Sequence, residues 1–162
     1  MRDHVSLVLV AVIAFCLSMV QPALGAGPTR EPVPSDPLSF PAGVVCDFPV
    51  LIEAERNNAT IKTFANGRLF ITGQFVTRVT NTSPGGRSIT FNNSGPLTVT
   101  PNADGSVDLM VRGQSLLYFF AEDIGGRRLL RMTGLVRETL SATVTAFSHT
   151  GGTTENLCDT LK

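Results

Sequence analysis

Three cysteines, Cys16, Cys46 and Cys158, are the residues whose chemistry has to be decided first. A cysteine can act as a nucleophile, bind a metal, carry a lipid or form a disulfide. A reactive thiol needs an activating base, and His149 is the only histidine after residue 26. In an exported protein, by contrast, a pair of cysteines is most simply a disulfide. The compartment of the protein therefore decides which chemistry applies.

The first residues predict that the chain is exported. Arg2 precedes an apolar run from Val5 to Val20, and the small residues of "ALGAG" follow. This layout is that of a secretory signal peptide, predicted over residues 1–26 with cleavage after Gly25 or Ala26. The apolar run is short for a membrane-spanning helix, which needs roughly 20 residues. An uncleaved N-terminal anchor is the alternative, and otherwise we expect a secreted protein without a membrane span.

Removal of the predicted signal peptide determines which cysteines the mature chain keeps. Cys16 lies inside the apolar run and follows Phe15, so it lacks the small preceding residue of a lipid-modified cysteine, and it leaves with the signal peptide. Cys46 and Cys158 remain, and the export of the chain predicts that they form a disulfide. This bond would enclose nearly the whole folded domain. A free reactive thiol is the alternative.

Two further groups of residues could support hydrolysis. His149 could act as a general base for Ser148 or Ser141, but no G-x-S-x-G sequence supports a nucleophile there. Glu53 and Glu55 could form a carboxylate pair of the kind that cleaves glycosidic bonds. A surface histidine at a strand end and a solvated strand face are the interpretations we favour. We therefore predict no catalytic residue and a protein that is not an enzyme.

One loop resembles part of a calcium site. Asn102, Asp104 and Asp108 provide closely spaced oxygen atoms next to Gly105. The later bidentate carboxylate of a calcium loop is missing, and strand-like sequence flanks both sides. A hairpin turn requires the same residue types. We therefore predict a turn here, with neither a metal nor a cofactor.

The elements around these residues are predicted to be strands. Residues 27–43 contain a proline-rich segment, interpreted as an extended leader or linker. From Val44 onward apolar and polar residues alternate, which is typical of half-buried strands. Residues 44–162 are therefore predicted to form one domain, whose strands cover residues 48–55, 59–64, 68–81, 87–93, 96–101, 106–113, 114–121, 127–138 and 141–149.

The connections between these strands predict the architecture. Asn66–Gly67 indicates a hairpin with a type I′ turn, Gly73 a bent strand, and the tail at "ENLCDTLK" a single helical turn. Short connections require antiparallel neighbours. We predict an all-β fold, an antiparallel up-and-down meander that closes into a barrel, with a β-sandwich as the alternative.

The stretch "LLYFF" indicates a possible binding surface. Leu117 and Phe119 point to one face of their strand, and Leu116, Tyr118 and Phe120 point to the other. Both faces must therefore be covered, by other segments of the chain or by a partner. We predict that Leu116, Tyr118 and Phe120 form a surface for self-association or for an apolar ligand, if the chain itself does not cover them.

Composition makes several classes of function improbable. The formal net charge is zero, which disfavours nucleic acid and an anionic membrane as partners. The chain has no tryptophan and one tyrosine, Tyr118, which disfavours a carbohydrate-binding module. The partner itself stays undefined at this stage.

The order of the motifs also carries a family resemblance. The arrangement "CDFPV…NG…TG…SGPLTVTPNADGSVDL…LLYFF…TG…FSHTGG…LCD" resembles secreted actinobacterial proteins that have no assigned activity. The resemblance covers residues 46 to 159. It implies export from a bacterium, an antiparallel β-domain and the terminal cysteine pair. It implies no catalytic or binding residues.

Three hypotheses follow for the function. The first is a secreted, non-enzymatic β-barrel that binds a partner or a small apolar molecule. The second is a structural or cell-surface-associated protein, and the third is a hydrolase without a recognisable motif. A continuous apolar cavity would favour the first hypothesis, and polar groups converging near His149 would favour the third.

Overall fold

The structure, a computed structural model, describes residues 27–162. The predicted signal peptide and Cys16 lie outside the described residues. Strands dominate the described chain, and one short helix, α1 (Leu157–Thr160), forms the predicted helical turn of the tail. The strands are β1 (Thr29–Pro32), β2 (Leu38–Phe40), β3 (Val50–Asn57), β4 (Thr60–Thr63), β5 (Leu69–Thr72), β6 (Phe75–Asn81), β7 (Ser88–Asn92), β8 (Leu97–Pro101), β9 (Val107–Phe119), β10 (Arg128–Leu140), β11 (Val144–Thr150) and β12 (Thr154–Asn156).

The strands form two antiparallel sheets. The larger sheet has the order β1-β4-β5-β8-β9-β10-β11, and β12 also pairs with β10. The smaller sheet has the order β2-β3-β6-β7. The predicted all-β, antiparallel class is confirmed. Within residues 27–162 neither sheet closes into the predicted barrel, because the meander is divided between two sheets.

Three breaks in the strands divide the meander. The chain passes from β3 to β4, from β5 to β6 and from β7 to β8 by short bends, and each bend moves it from one sheet to the other. At the second bend Gly73 has φ 133°, and a Cβ atom there would lie 2.5 Å from the carbonyl oxygen of Asn58. Only glycine fits such a close approach. The strand predicted over residues 68–81 with a bend at Gly73 is therefore divided at this glycine into β5 and β6, which belong to different sheets.

The β9–β10 hairpin is long and strongly curled. Gly113 and Gly134 lie opposite each other at its middle, with φ 96° and 114°. In a straight hairpin the loop after β9 and the turn after β10 would lie about 40 Å apart, at roughly 3.3 Å per residue. Instead the backbone N–H of Val144 donates to Asp123 Oδ1 at 2.6 Å. The hairpin therefore folds back on itself, and residues 106–121, predicted as two strands, form one strand through a glycine kink.

The apolar side chains form two clusters on the two faces of this hairpin. Leu116, Tyr118 and Leu129 belong to the first cluster, with the inner face of the smaller sheet. Leu117 and Phe119 belong to the second cluster, inside the curl, with Leu130, Met132, Val136, Leu140, Val144 and Phe147. The predicted alternation of "LLYFF" is confirmed. Each face thus packs in part against other segments of the chain.

The proline-rich segment contributes to the fold. β1 pairs with β4, and β2 pairs with β3. Phe40 of β2 is 8% exposed, and its ring lies 5.2 Å from that of Tyr118 and 6.1 Å from that of Phe120, between ring centroids. The segment predicted as a leader therefore packs, through Phe40, against one face of β9.

The predicted disulfide is confirmed. Cys46 and Cys158 are bonded, and their Cα atoms are 5.3 Å apart. Around the bond, Asn81 Nδ2 donates to the carbonyl oxygen of Leu161 at 2.9 Å, and Arg127 forms an ion pair with Asp47. The C-terminal helix is therefore held against both the smaller sheet and the start of the β-domain.

The hairpin predicted at Asn66–Gly67 is confirmed, but its turn type is wrong. β4 and β5 pair on either side of it. Gly67 has φ 78°, but no residue other than glycine has a positive φ in the described chain, so Asn66 does not fit a type I′ turn. The side-chain oxygen of Asn66 accepts a hydrogen bond from the N–H of Arg68 at 3.2 Å. This local bond gives the turn a different geometry.

Candidate functional site

A cavity of about 1000 Å³ lies beside the second half of β9. β8 pairs with β9 only over residues 107–111, so residues 115–119 have a strand, β10, on one side only. The open side of this segment borders the cavity. Side chains from both faces of β9, such as Leu116 and Leu117, therefore line the same cavity.

Most of the cavity wall is apolar. The strands of the larger sheet supply aliphatic side chains, and the loops at 120–123 and 141–144 close one end. The aliphatic side chains include Ile71, Leu97, Leu109, Val111, Leu117 and Leu140. Such a wall favours an apolar occupant.

The predicted surface residues Leu116, Tyr118 and Phe120 are part of this wall. They are half-buried and pack against Phe40 and the core of the smaller sheet. Among the described residues the one exposed large apolar side chain is Ile124, at 48%. The three predicted residues therefore face a cavity and not the outer surface. Their role in binding stays a prediction.

Glu138 brings a carboxyl group to the apolar wall. It is 7% exposed, and burial and neighbouring charges, not a hydrogen bond, act on the pKa of its carboxyl group. Burial raises the pKa of Glu138 to about 7, with a further contribution from the charge of Asp123, while Arg128 acts in the opposite direction. Burial, and then the charge of Glu138, also raises the pKa of Tyr118. Glu138 therefore changes its charge near neutral pH.

Two other polar atoms at the cavity lack partners. Ser115 is 5% exposed, and its hydroxyl forms no hydrogen bond within the described chain. The side-chain oxygen of Asn93 is also buried without a partner, and both residues line the cavity. A buried polar group without a hydrogen bond costs roughly 1–3 kcal/mol. A ligand with polar atoms in the right place would satisfy these groups.

Asp123 has a structural role. Its Oδ2 accepts a hydrogen bond from the backbone N–H of Phe120 at 2.7 Å, and its Oδ1 accepts from that of Val144 at 2.6 Å. The first bond lies within the loop after β9, and the second joins this loop to the start of β11; together they are called the Asp123 clamp below. They keep the hairpin curled around the cavity.

The charged residues at the cavity are all acidic. Glu122, Asp123 and Glu138 line it, and none of the lining residues in the described chain is lysine, arginine or histidine. A wall of this composition repels anions. It favours a cation or a donor of hydrogen bonds.

The candidate base His149 lies elsewhere. Its Nε2 lies 2.8 Å from the carbonyl oxygen of Thr133 and therefore donates to it, and its Nδ1 accepts from the Thr154 hydroxyl at 3.3 Å. Its partners thus do not include Ser141 or Ser148. His149 is half-buried and joins β10, β11 and β12, which differs from the predicted surface role.

The other candidate groups have structural partners. Glu55 forms an ion pair with Arg78. The Oδ1 atom of Asp104 accepts hydrogen bonds from the N–H and the hydroxyl of Ser106, at 3.0 and 2.7 Å, as expected of the predicted hairpin turn. Asp108 accepts from the Thr139 hydroxyl at 2.7 Å. Within residues 27–162 no group of three or more His, Cys, Asp or Glu side chains is arranged to hold a metal ion.

Sequence reasoning missed Glu138, Ser115 and Asp123. A signal for Glu138 exists, because the alternating positions 130, 132, 136 and 140 of β10 carry Leu or Met or Val, and position 138 breaks this row with a carboxylate. No comparable signal exists for Ser115 or Asp123, whose roles depend on the curl of the hairpin.

Comparison of the chain with protein-family models, with curated proteins and with solved structures finds no match. Within residues 27–162 no helix has the length and apolar character needed to span a membrane.

Proposed function

We propose that this chain is a secreted, non-enzymatic β-domain that binds a small apolar molecule in the cavity beside β9. The cavity of about 1000 Å³ carries the proposal, because ligand-binding pockets have volumes of roughly 300–1000 Å³ and mostly apolar walls. The disulfide supports an exported protein, since such bonds persist in oxidising compartments. The bacterial origin that the family resemblance implies belongs to the same proposal.

The finer architecture is proposed to be sandwich-like. The inner face of the smaller sheet packs on Leu116, Tyr118 and Leu129 of the larger sheet, which is the packing of two layered sheets. The curled β9–β10 hairpin encloses the second apolar cluster on its other face. The cavity lies at the edge between this curl and the two packed sheets. This arrangement needs no barrel closure.

A cavity-filling variant tests the proposal. Val111→Phe places a ring in the cavity, and Val76→Phe adds the same ring at a half-buried position outside the cavity lining. Binding of Nile red, a neutral dye that fluoresces in apolar sites, should saturate at one dye per chain with the unaltered protein. Val111→Phe should weaken this binding at least tenfold, and Val76→Phe should leave it unchanged.

Native mass spectrometry of the secreted protein provides a second measurement. We expect a bound small molecule, or a mass increase of one dye molecule after titration. The proposal would be wrong if the dye did not saturate, or if a correctly folded Val111→Phe variant bound it as well as the unaltered protein did. Thermal unfolding of each variant establishes that it is folded.

A further inference from the structure

We propose that the molecule bound in the cavity is a hydrophobic amine, whose ammonium group pairs with Glu138 while its apolar body lies against the aliphatic wall. This inference rests on the proposed function, and it specifies the chemical class of the ligand. A cavity of this size also accommodates neutral or acidic lipids, so the choice depends on the polar groups.

The position of Glu138 is the first reason. Its neighbours across the strands are Leu109 on β9 and Phe147 on β11, and neither can donate a hydrogen bond from its side chain. A buried carboxylate without a partner is unfavourable. Glu138 borders the cavity, so a ligand that occupies it can supply the missing donor.

The charges around Glu138 are the second reason. Arg128 is the cation that acts on it, but the Arg128 guanidinium donates to the carbonyl oxygen of Ile124 at 2.9 Å and lies 4.1 Å from the centroid of the Phe119 ring. None of the ion pairs among the described residues joins Arg128 to Glu138. Asp123 adds a second negative charge nearby. An ammonium group would be attracted here, and a carboxylate ligand would be repelled.

The unpartnered polar atoms are the third reason. Asn93 Oδ1 can only accept a hydrogen bond, and the Ser115 hydroxyl can accept one as well as donate. Together with the Glu138 carboxylate, the cavity offers acceptors that require donors from the ligand. An amine with several N–H groups provides such donors.

The charge state of Glu138 makes the binding depend on pH. With a pKa of about 7, its ionised fraction increases about tenfold between pH 6 and pH 8. Asp123 from the loop after β9, Arg128 on β10 and Tyr118 on β9 are the titratable groups coupled to it. An alkylamine stays protonated over this range. Its affinity should therefore increase by up to about tenfold from pH 6 to pH 8.

Three probes with the same chain length test the inference. Dodecylamine, dodecanol and dodecanoic acid would displace Nile red from the full secreted protein, each below the concentration at which it forms micelles. We expect dodecylamine to bind most tightly at pH 8, dodecanol less tightly and dodecanoic acid most weakly. Only the amine should gain affinity from pH 6 to pH 8.

Two matched variants identify the carboxylate responsible. Glu138→Gln should weaken the binding of dodecylamine at pH 8 about tenfold or more, and it should remove the pH dependence, while dodecanol binding stays unchanged. Glu53→Gln removes a carboxylate outside the cavity lining and should behave like the unaltered protein. Unchanged dodecanol binding by Glu138→Gln also establishes that this variant is folded.

The outcomes separate the inference from the proposed function. Equal affinities for the three probes, a preference for dodecanoic acid, or an amine preference that survives Glu138→Gln would overturn the inference and leave the apolar cavity intact. If the unaltered protein bound neither Nile red nor any probe, the proposed function itself would be wrong. In that case no ligand class could be assigned to the cavity.

Discussion

At the scale of single residues, the chain places an ionisable group inside an apolar layer. Glu138 follows Val136 in the alternating row of β10 and is as buried as its apolar neighbours. Its ordinary pKa of 4.5 is raised to about 7, so the folded protein holds this proton more tightly than the unfolded chain. The free energy of unfolding must therefore depend on pH through this residue.

The pH dependence of stability is the first prediction at this scale. The contribution of Glu138 to the free energy of unfolding is least unfavourable below pH 4.5, where its carboxyl group is protonated in both states. The free energy of unfolding decreases as the pH rises through about 7, because the folded state must then hold a buried carboxylate. The difference between the folded and the unfolded pKa of Glu138 corresponds to about 3 kcal/mol in the free energy of unfolding. Glu138→Gln should remove this loss, as measured by urea unfolding between pH 4 and pH 8.5.

The comparison is between two pH profiles. The difference in unfolding free energy between Glu138→Gln and the unaltered protein should grow from pH 4.5 to pH 8. Parallel profiles for Glu138→Gln and the unaltered protein would mean that Glu138 has an ordinary pKa in the folded state.

The sequence predicted best those residues whose role follows from their type and the expected compartment alone. The expectation of export, with the one pair of cysteines that it would leave, was sufficient to predict the Cys46–Cys158 bond. Glu138 differs, because a charged residue in an alternating row is indistinguishable from a solvated one until the covering strands are known. Asp123 lies in the sequence "EDIGG", which predicts a turn but not the hydrogen bond that Asp123 accepts from Val144, 21 residues further along the chain.

At the scale of elements, the curl of the β9–β10 hairpin depends on two facing glycines. A Cβ atom on Gly134 would lie 2.4 Å from the carbonyl oxygen of Gly151 and 2.8 Å from that of Thr150. Gly134 therefore has both a positive φ and a close backbone neighbour. The kink brings the two halves of the hairpin around the cavity.

Substitution of this glycine is the prediction at the scale of elements. Gly105→Ala is the matched control, because Gly105 has φ 85° but no atom within 4 Å of a Cβ position. A left-handed conformation costs an ordinary residue about 1–2 kcal/mol. We expect Gly105→Ala to lose about this much stability in urea unfolding. Gly134→Ala should lose clearly more and should also weaken Nile red binding, and equal losses in the two variants would contradict the role of the kink.

Alternation predicted most strands to within a few residues, since period two is a property of each strand by itself. The helical turn of the tail was also predicted, and Gly73 was predicted as a bend within one strand, although the chain changes sheets there. The sequence pattern divided β9 at Gly113, because a glycine between two alternating runs indicates a break as readily as a kink. The pairing with β10 decides between the two, and pairing is not a local property.

At the scale of the whole molecule, the two sheets are tied together by the disulfide. It joins residues 112 apart in sequence, so it encloses nearly all of the described chain. In the chain-entropy model, closing a loop of this length removes disorder worth about 4.7 kcal/mol from the unfolded state. Measured losses on removal of such bonds are typically about 2–5 kcal/mol.

Removal of the bond is the prediction at this scale. The double variant Cys46→Ala and Cys158→Ala should unfold at a markedly lower urea concentration, with a loss of about 2–5 kcal/mol. Reduction of the unaltered protein should have a similar effect, and the reducing agent should not affect the double variant. An unchanged unfolding midpoint would mean that the bond does not stabilise the fold.

The arrangement of the sheets was the least predictable feature. A meander of antiparallel strands is compatible with a barrel and with layered sheets, because each strand pair looks the same in both. The decision depends on the bends after β3, β5 and β7, which transfer the chain between sheets. The cavity exists because these bends leave part of β9 without a second neighbour.

The Asp123 clamp has a consequence for the order of folding. The bond from Phe120 is local, but the bond from Val144 can form only after β9 and β10 have paired along their whole length and curled. Contacts that depend on earlier strand pairing form late in folding. Removing such a contact by mutation mainly accelerates unfolding and has little effect on the folding rate. We therefore expect the walls of the cavity to be among the last parts of the molecule to assemble and among the first to separate.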